Sequence, residues 1–62
     1  MTTHEAIVAQ YEAYIAENAK FEEKGVKAAS ARARKALAEL TKLAKERRKE
    51  IQEEKEKMDA EK

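Results

Sequence analysis

The residues that could carry chemistry in this sequence are almost all charged, and the side chains on which most enzymes rely are scarce. The chain has one His, His4, one Ser, Ser30, and no Cys. Adjacent carboxylates such as Glu53 and Glu54 lie in a long acidic run, where carboxylates are usually solvated. A metal site needs clustered His, Cys or Asp, and the only Asp is Asp59. The sequence therefore predicts a non-enzymatic protein with no metal, no cofactor and no small-molecule substrate.

The chemistry that this sequence favours is the binding of anions by a block of basic residues. Residues 1–23 carry a net charge of −4, residues 24–49 carry +8 and residues 50–62 carry −3. On a helix, seven basic residues of the middle block share the face opposite the apolar residues, with Glu39 and Glu46 at its margin. Such a face is typical of binding to a phosphate backbone. The alternative is a solvated Lys/Arg face without a ligand, which helices commonly have.

The predicted contacts to DNA phosphates are these seven residues and one neighbour, Arg32. Arg32 falls toward the apolar side of the helix, where it could instead lie at an interface. The full predicted set is Lys27, Arg32, Arg34, Lys35, Lys42, Lys45, Arg48 and Lys49.

Two helices are predicted to position this face. The composition, rich in Ala, Glu and Lys and without Pro, is typical of long helices. Gly25 follows a basic residue at the end of an apolar-periodic segment, which indicates a helix C-terminus, and Thr2 with Glu5 has the spacing of a capping box. We therefore expect one domain over residues 1–62, with a helix at about 3–24, a turn at 25–26 and a helix at about 27–60. One continuous helix that tolerates Gly25 is the alternative.

Each predicted helix has one apolar face, and packing the two faces together gives an antiparallel hairpin of all-α class. In the first helix the apolar residues form a stripe of about 140°, which is expected to face the core. This stripe comprises Ile7, Val8, Tyr11, Tyr14, Ile15 and Phe21. Core packing is also the expected role of the three aromatic residues among them, and stacking on nucleobases is the alternative.

The apolar residues are too few to stabilise a hairpin of 62 residues on its own. We therefore expect self-association into a helical bundle, as a homodimer or homotetramer. The distal segment, from about Glu50 to Lys62, should pack against another chain or fray. No uninterrupted apolar run is longer than the four residues of Ala6 to Ala9, so no membrane span or signal peptide is predicted, and the expected location is the cytoplasm.

Residues 20–51, KFEEKGVKAASARARKALAELTKLAKERRKEI, resemble the bacterial linker-histone-like proteins of the chlamydial histone-like family. Several short segments carry the resemblance, in a spacing that runs from the glycine turn to the final Arg-Lys-Glu. They are Glu23-Lys24-Gly25, Lys27-Ala28-Ala29, Arg32 and Arg34, Leu40, Lys42, Leu43 and Lys45, and Arg48-Lys49-Glu50.

The resemblance implies binding to double-stranded DNA and a role in organising the nucleoid. Long members of that family carry a Lys/Ala-rich tail, which this sequence lacks, so it is more similar to the short, tailless type and strong DNA compaction is not expected. The sequence therefore predicts a non-specific DNA-binding, histone-like protein. The alternative is a structural or protein-interaction bundle, which the missing tail and the net charge of +1 favour.

Overall fold

The computed structural model describes residues 1–60, and in them two α-helices form an antiparallel hairpin. Helix α1 spans Thr3–Lys24 and helix α2 spans Lys27–Ala60. The predicted all-α hairpin with its turn at Gly25 is confirmed, and the alternative of one continuous helix is wrong. No helix in this part of the chain has the length and apolar character that a membrane span requires.

Both ends of α1 are closed by local hydrogen bonds that the sequence predicts. At the N-terminus, the backbone N–H of Glu5 donates to Thr2 Oγ1 at 3.1 Å, and the backbone N–H of Thr2 donates to Glu5 Oε1 at 3.1 Å. At the C-terminus, Gly25 adopts the left-handed conformation, with φ 64° and ψ 29°. Its N–H donates to the carbonyl of Phe21 at 3.1 Å. A residue with a Cβ would be strained in this conformation, so the glycine fixes the position of the turn.

The contact between the helices is a narrow seam, to which α2 contributes its smallest side chains. Ala29, Ala33 and Ala36 are 0%, 7% and 5% exposed, and they are the only buried residues among residues 1–60. Leu40 and Leu43 are half-buried and continue the alternating spacing of four and three residues. This spacing is that of a heptad seam. Because alanine has no side chain beyond Cβ, the two backbones can approach closely here.

Helix α1 meets this seam with a mixture of polar and apolar side chains. The half-buried residues at heptad spacing are Thr3, Ile7, Gln10, Tyr14 and Glu17. The prediction that the whole apolar stripe of α1 faces the core is therefore wrong: Val8, Tyr11, Ile15 and Phe21 are 41%, 54%, 47% and 41% exposed.

The cause of this difference is the width of the contact. A single neighbouring helix covers only about two of every seven positions, whereas the stripe of α1 is about 140° wide. Residues at its far edge extend past the seam into solvent. The same holds for α2, where Leu37 and Ile51 lie beside the seam and are 45% and 50% exposed.

The end of the hairpin remote from the turn is held by polar contacts. The hydroxyl of Thr3 donates a hydrogen bond to the carboxylate of Glu50. The Arg47 guanidinium donates to Glu50 Oε1 at 3.1 Å and lies 3.8 Å from Glu54 Oε1. Beyond this point α2 continues alone: residues 51–60 are helical and exposed. The predicted distal segment runs to Lys62, and its last two residues lie outside the described residues.

Candidate nucleic-acid interface

The outer surface of α2 carries a continuous group of basic side chains, which we call the basic face. It comprises Lys27, Arg34, Lys35, Lys42, Lys45, Arg48 and Lys49, and all seven residues are exposed. They lie on the side of α2 that points away from the alanine seam, because they are offset from the seam residues by about half a helical turn. Packing the seam therefore directs all seven toward solvent.

The basic face is ordered along the helix axis. Lys35, Lys42 and Lys49 are spaced seven residues apart, and so are Lys27 and Arg34, with Arg48 fourteen residues further on. At 1.5 Å per residue, residues 27–49 extend over about 33 Å. Because α2 is uninterrupted from Lys27 to Ala60, the basic face forms two straight rows of positive charge about as long as one turn of B-DNA.

No residue of the basic face forms an ion pair in the described part of the chain. The ion pairs found among residues 1–60 involve Lys20, Arg32 and Arg47, and none involves a residue of the basic face. In the span 27–49 the two acidic residues, Glu39 and Glu46, lie on the flank of α2 and not within the face. Positive potential is therefore concentrated on one side of the hairpin.

Arg32 differs from the other residues of the predicted set. Its Nε donates to Glu17 Oε2 of α1 at 2.8 Å, so its guanidinium is held at the flank of the seam. This hydrogen bond lowers the pKa of the Glu17 carboxyl below its ordinary value, more than the nearby charges of Arg32 and Lys20 do. The structure thus brings seven of the eight predicted residues together and places the eighth in an ion pair between the helices.

The flank that holds Arg32 is a shallow groove between the helices. Ala13 and Glu17 of α1 line it together with Arg32, Lys35 and Glu39 of α2, so Lys35 lies where the basic face meets this flank. Both signs of charge are present, so this flank is not a focused anion site. The pairing of Glu17 with Arg32 carries no hydrophobic signal in the sequence, whereas Ala29, Ala33 and Ala36 do belong to the apolar face that the sequence predicts for α2.

The outer surface of α1 has the opposite charge. Its exposed acidic residues are Glu5, Glu12, Glu22 and Glu23. The Glu5 carboxylate also closes the N-terminus of α1, and its hydrogen bond from the Thr2 backbone lowers the pKa of this carboxyl. Phosphates would be repelled from this surface and attracted to the basic face.

A second concave region lies at the end of the hairpin remote from the turn. His4 lines it beside Arg47 and Glu50, and the Thr3 hydroxyl is the main cause that lowers the pKa of Glu50. Among the described residues, no group of three or more His, Cys, Asp or Glu side chains is arranged to hold a metal ion. The polar side chains here are used in contacts that tie α1 to α2.

Comparison with known proteins identifies a family for this chain. The model of a family described as "Histone H1-like protein Hc1" matches residues 1–57. This match confirms the resemblance seen in residues 20–51 and extends it to the whole of α1 and most of α2. Searches of curated proteins and of solved structures give no significant match.

Proposed function

The chain belongs to the histone H1-like Hc1 family, and on this premise we propose that it binds double-stranded DNA through the basic face of α2. The observation that carries the proposal is the one-sided distribution of charge: seven exposed basic side chains without a single ion pair within residues 1–60. Each such side chain can neutralise a phosphate and release a condensed counterion.

The binding is proposed to be indifferent to base sequence. Contacts from Lys and Arg to phosphates fix the position of a protein on the duplex but do not read the bases. The five Lys residues of the face act as flexible point charges, and a straight helix that offers only these contacts has no fixed set of base-edge readers. We expect Arg32 to contribute less than the other seven, because it is paired with Glu17.

In this proposal residues 1–62 form one domain that acts as a structural, nucleoid-associated protein in the cytoplasm and not as an enzyme. The domain is proposed to self-associate as a homodimer or homotetramer, because its core is limited to three alanines and a few half-buried larger side chains. A domain of this size is marginal as a monomer.

A second candidate function is a protein-interaction bundle that does not bind DNA. The net charge of +1 and the exposed Val8, Tyr11 and Ile15 favour this alternative, since such side chains suit contacts between proteins. In that case the basic face would be a solvated surface or would contact an acidic protein.

A salt titration separates the two functions. We expect the wild-type protein to bind a duplex of arbitrary sequence with an affinity that falls steeply with salt. If all seven residues contact phosphates, the slope of log K against log salt concentration is about −6. Binding that is absent at about 50 mM salt, or that does not depend on salt, would support the interaction bundle instead.

A matched pair of variants assigns the binding to the basic face. Replacing Lys35, Lys42 and Lys49 by Gln should reduce the magnitude of the slope by about 3. The control replaces Lys20, Lys55 and Lys57 by Gln, which removes the same charge outside the basic face. If both triple variants lose affinity equally, net charge and not the basic face governs binding.

A further inference from the structure

One side of the hairpin exposes apolar side chains from both helices, and we call it the apolar side. It comprises Val8, Tyr11 and Ile15 of α1 and Leu37, Ala44 and Ile51 of α2, all of them exposed. Leu37, Ala44 and Ile51 are each seven residues apart, which keeps them in one row along a supercoiled helix.

The contacts between the helices show that both rows lie on the same side. The ion pair of Glu17 with Arg32 defines one flank of the seam, and Ala13 lines that flank too. On its own helix, Tyr11 is displaced from the seam in the direction opposite to Ala13, and Leu37 is displaced in the direction opposite to Arg32. Tyr11 and Leu37 therefore share the other flank.

The two rows also overlap along the length of the hairpin. The contacts of Thr3 with Glu50 and of Glu17 with Arg32 set the alignment of the antiparallel helices. In this alignment Val8 and Ala44 lie at about the same position along the axis of the hairpin. The rows thus form one apolar surface with a contribution from each helix.

The size of the apolar side is sufficient for a stable interface. Helix α1 has 22 residues, so the two helices overlap over roughly 33 Å. With a hairpin width of 17 Å, the projected area of this side is roughly 560 Å² per copy, and the accessible area is larger. Two such surfaces reach the roughly 1,000 Å² that a specific interface needs.

We infer that a second copy of this chain covers the apolar side, with α1 of each copy packed on α2 of the other; this inference rests on the proposed self-association and adds its surface and geometry. Charge complementarity selects the arrangement. Glu12 and Glu22 border the apolar row of α1, whereas Arg34 and Arg48 border the row of α2. Placing α1 on α2 opposes unlike charges, whereas placing like helices together opposes like charges.

This arrangement is a four-helix bundle with its two-fold axis along the helices, in which every neighbouring pair is antiparallel. The two basic faces then point in opposite directions from the bundle. Arg34 and Arg48 lie beside the partner's acidic helix, while Lys35, Lys42 and Lys49 lie on the side of α2 that is remote from the partner. A dimer of this kind presents one row of lysines to each of two duplexes.

The interface is tested first by sedimentation of two matched variants. Tyr11→Glu places a charge in the centre of the apolar side, and Ala16→Glu adds the same charge on the outer surface of α1. We expect Tyr11→Glu to raise the dissociation constant of the dimer about 30-fold or more, as at an interface hot spot. Ala16→Glu should leave it within a few-fold of wild type. Equal effects of the two variants would overturn the inference.

Disulfide cross-linking tests the arrangement without depending on the stability of the Tyr11 variant. The chain has no native Cys, so Val8→Cys and Ala44→Cys can be prepared as single-cysteine proteins, one of them isotope-labelled, and mixed under oxidation. We expect the disulfide between Cys at position 8 of one copy and Cys at position 44 of the other to dominate. The control Ala38→Cys, which lies within the basic face, should form a disulfide with neither of these proteins. A preference for Val8 to Val8 disulfides, or equal cross-linking by Ala38→Cys, would overturn the inference.

The outcomes distinguish a failure of the inference from a failure of the proposed self-association. If the wild-type protein sediments as a monomer at concentrations well above micromolar, self-association fails and the inference fails with it. If the wild-type protein is an oligomer and the Tyr11 and cross-linking results are negative, self-association stands and uses another surface. Neither result bears on DNA binding, which the salt titration measures separately.

Discussion

The outer surfaces of the two helices have the same scaffold and opposite chemistry. On α1 the charged residues that point away from the seam are acidic, with Glu5, Glu12, Glu22 and Glu23 all exposed. On α2 the corresponding surface over residues 27–49 is basic and contains no acidic residue. The net charge of +1 conceals this separation, because the acidic residues of α1 and of residues 50–62 together nearly cancel the basic block of residues 24–49. For this fold, the local charge of each outer surface predicts DNA binding, and the total charge of the chain does not.

The seam between the helices creates the separation. An antiparallel pair with a narrow seam directs the outer surfaces of its two helices in opposite directions. Phosphates near the protein are attracted on one side and repelled on the other, which favours a single orientation on DNA. A substitution that disturbs packing at the seam should therefore weaken the separation of the acidic and basic surfaces.

The largest expected effect follows from disturbing the seam itself. Ala33→Leu inserts a large side chain where the residue is 7% exposed, and overpacking of this kind costs about 1–3 kcal/mol. The melting temperature, followed by circular dichroism, should fall by at least about 4 °C. Ala31→Leu, on the exposed outer surface of α2, is the control and should change it little. A variant Ala33→Leu as stable as this control would show that the helices do not pack through Ala33.

The sequence predicts the elements of this fold better than it predicts their packing. Gly25, Thr2 and Glu5 specify the turn and the helix start through local backbone chemistry, which needs no tertiary information. The basic face was predictable because it lies opposite any plausible apolar stripe. The α2 half of the seam lies on the predicted apolar face of that helix, but the α1 half was not predictable, because several of its residues are polar and Glu17 finds its partner only across the hairpin. Periodicity alone predicts a core position for Tyr11, but it does not determine how many neighbouring helices cover an apolar stripe.

A smaller effect should distinguish two basic residues of α2 that both belong to the predicted DNA-binding set. Lys35 belongs to the basic face, whereas Arg32 donates to Glu17 at 2.8 Å. Lys35→Gln should reduce the slope of DNA affinity against salt by about 1. Arg32→Gln removes the same charge but should reduce the slope much less, since its guanidinium already has a carboxylate partner. Equal changes in the two titrations would place Arg32 in the basic face.

The smallest expected effect is the pH dependence of the ion pair that holds Arg32. The hydrogen bond from Arg32 lowers the pKa of Glu17 in the folded state, so the pair stabilises the fold above the unfolded pKa of about 4.3. This stabilisation is lost as the pH falls through the lowered pKa of Glu17. The wild-type protein should therefore melt at a higher temperature than Glu17→Gln at pH 7, and the difference should shrink at lower pH. A difference that is constant with pH would show that the carboxylate charge of Glu17 contributes nothing.

The most direct test of the proposed role compares the two outer surfaces in one experiment. Backbone amide signals of the isotope-labelled protein are followed by NMR during titration with a short duplex of arbitrary sequence. We expect the largest shifts at Lys35, Lys42, Lys45 and Lys49, little change at Glu12 and Glu23, and reversal of the shifts when salt is raised. Shifts concentrated on the outer surface of α1, or no shifts at about 50 mM salt, would contradict DNA binding through the basic face.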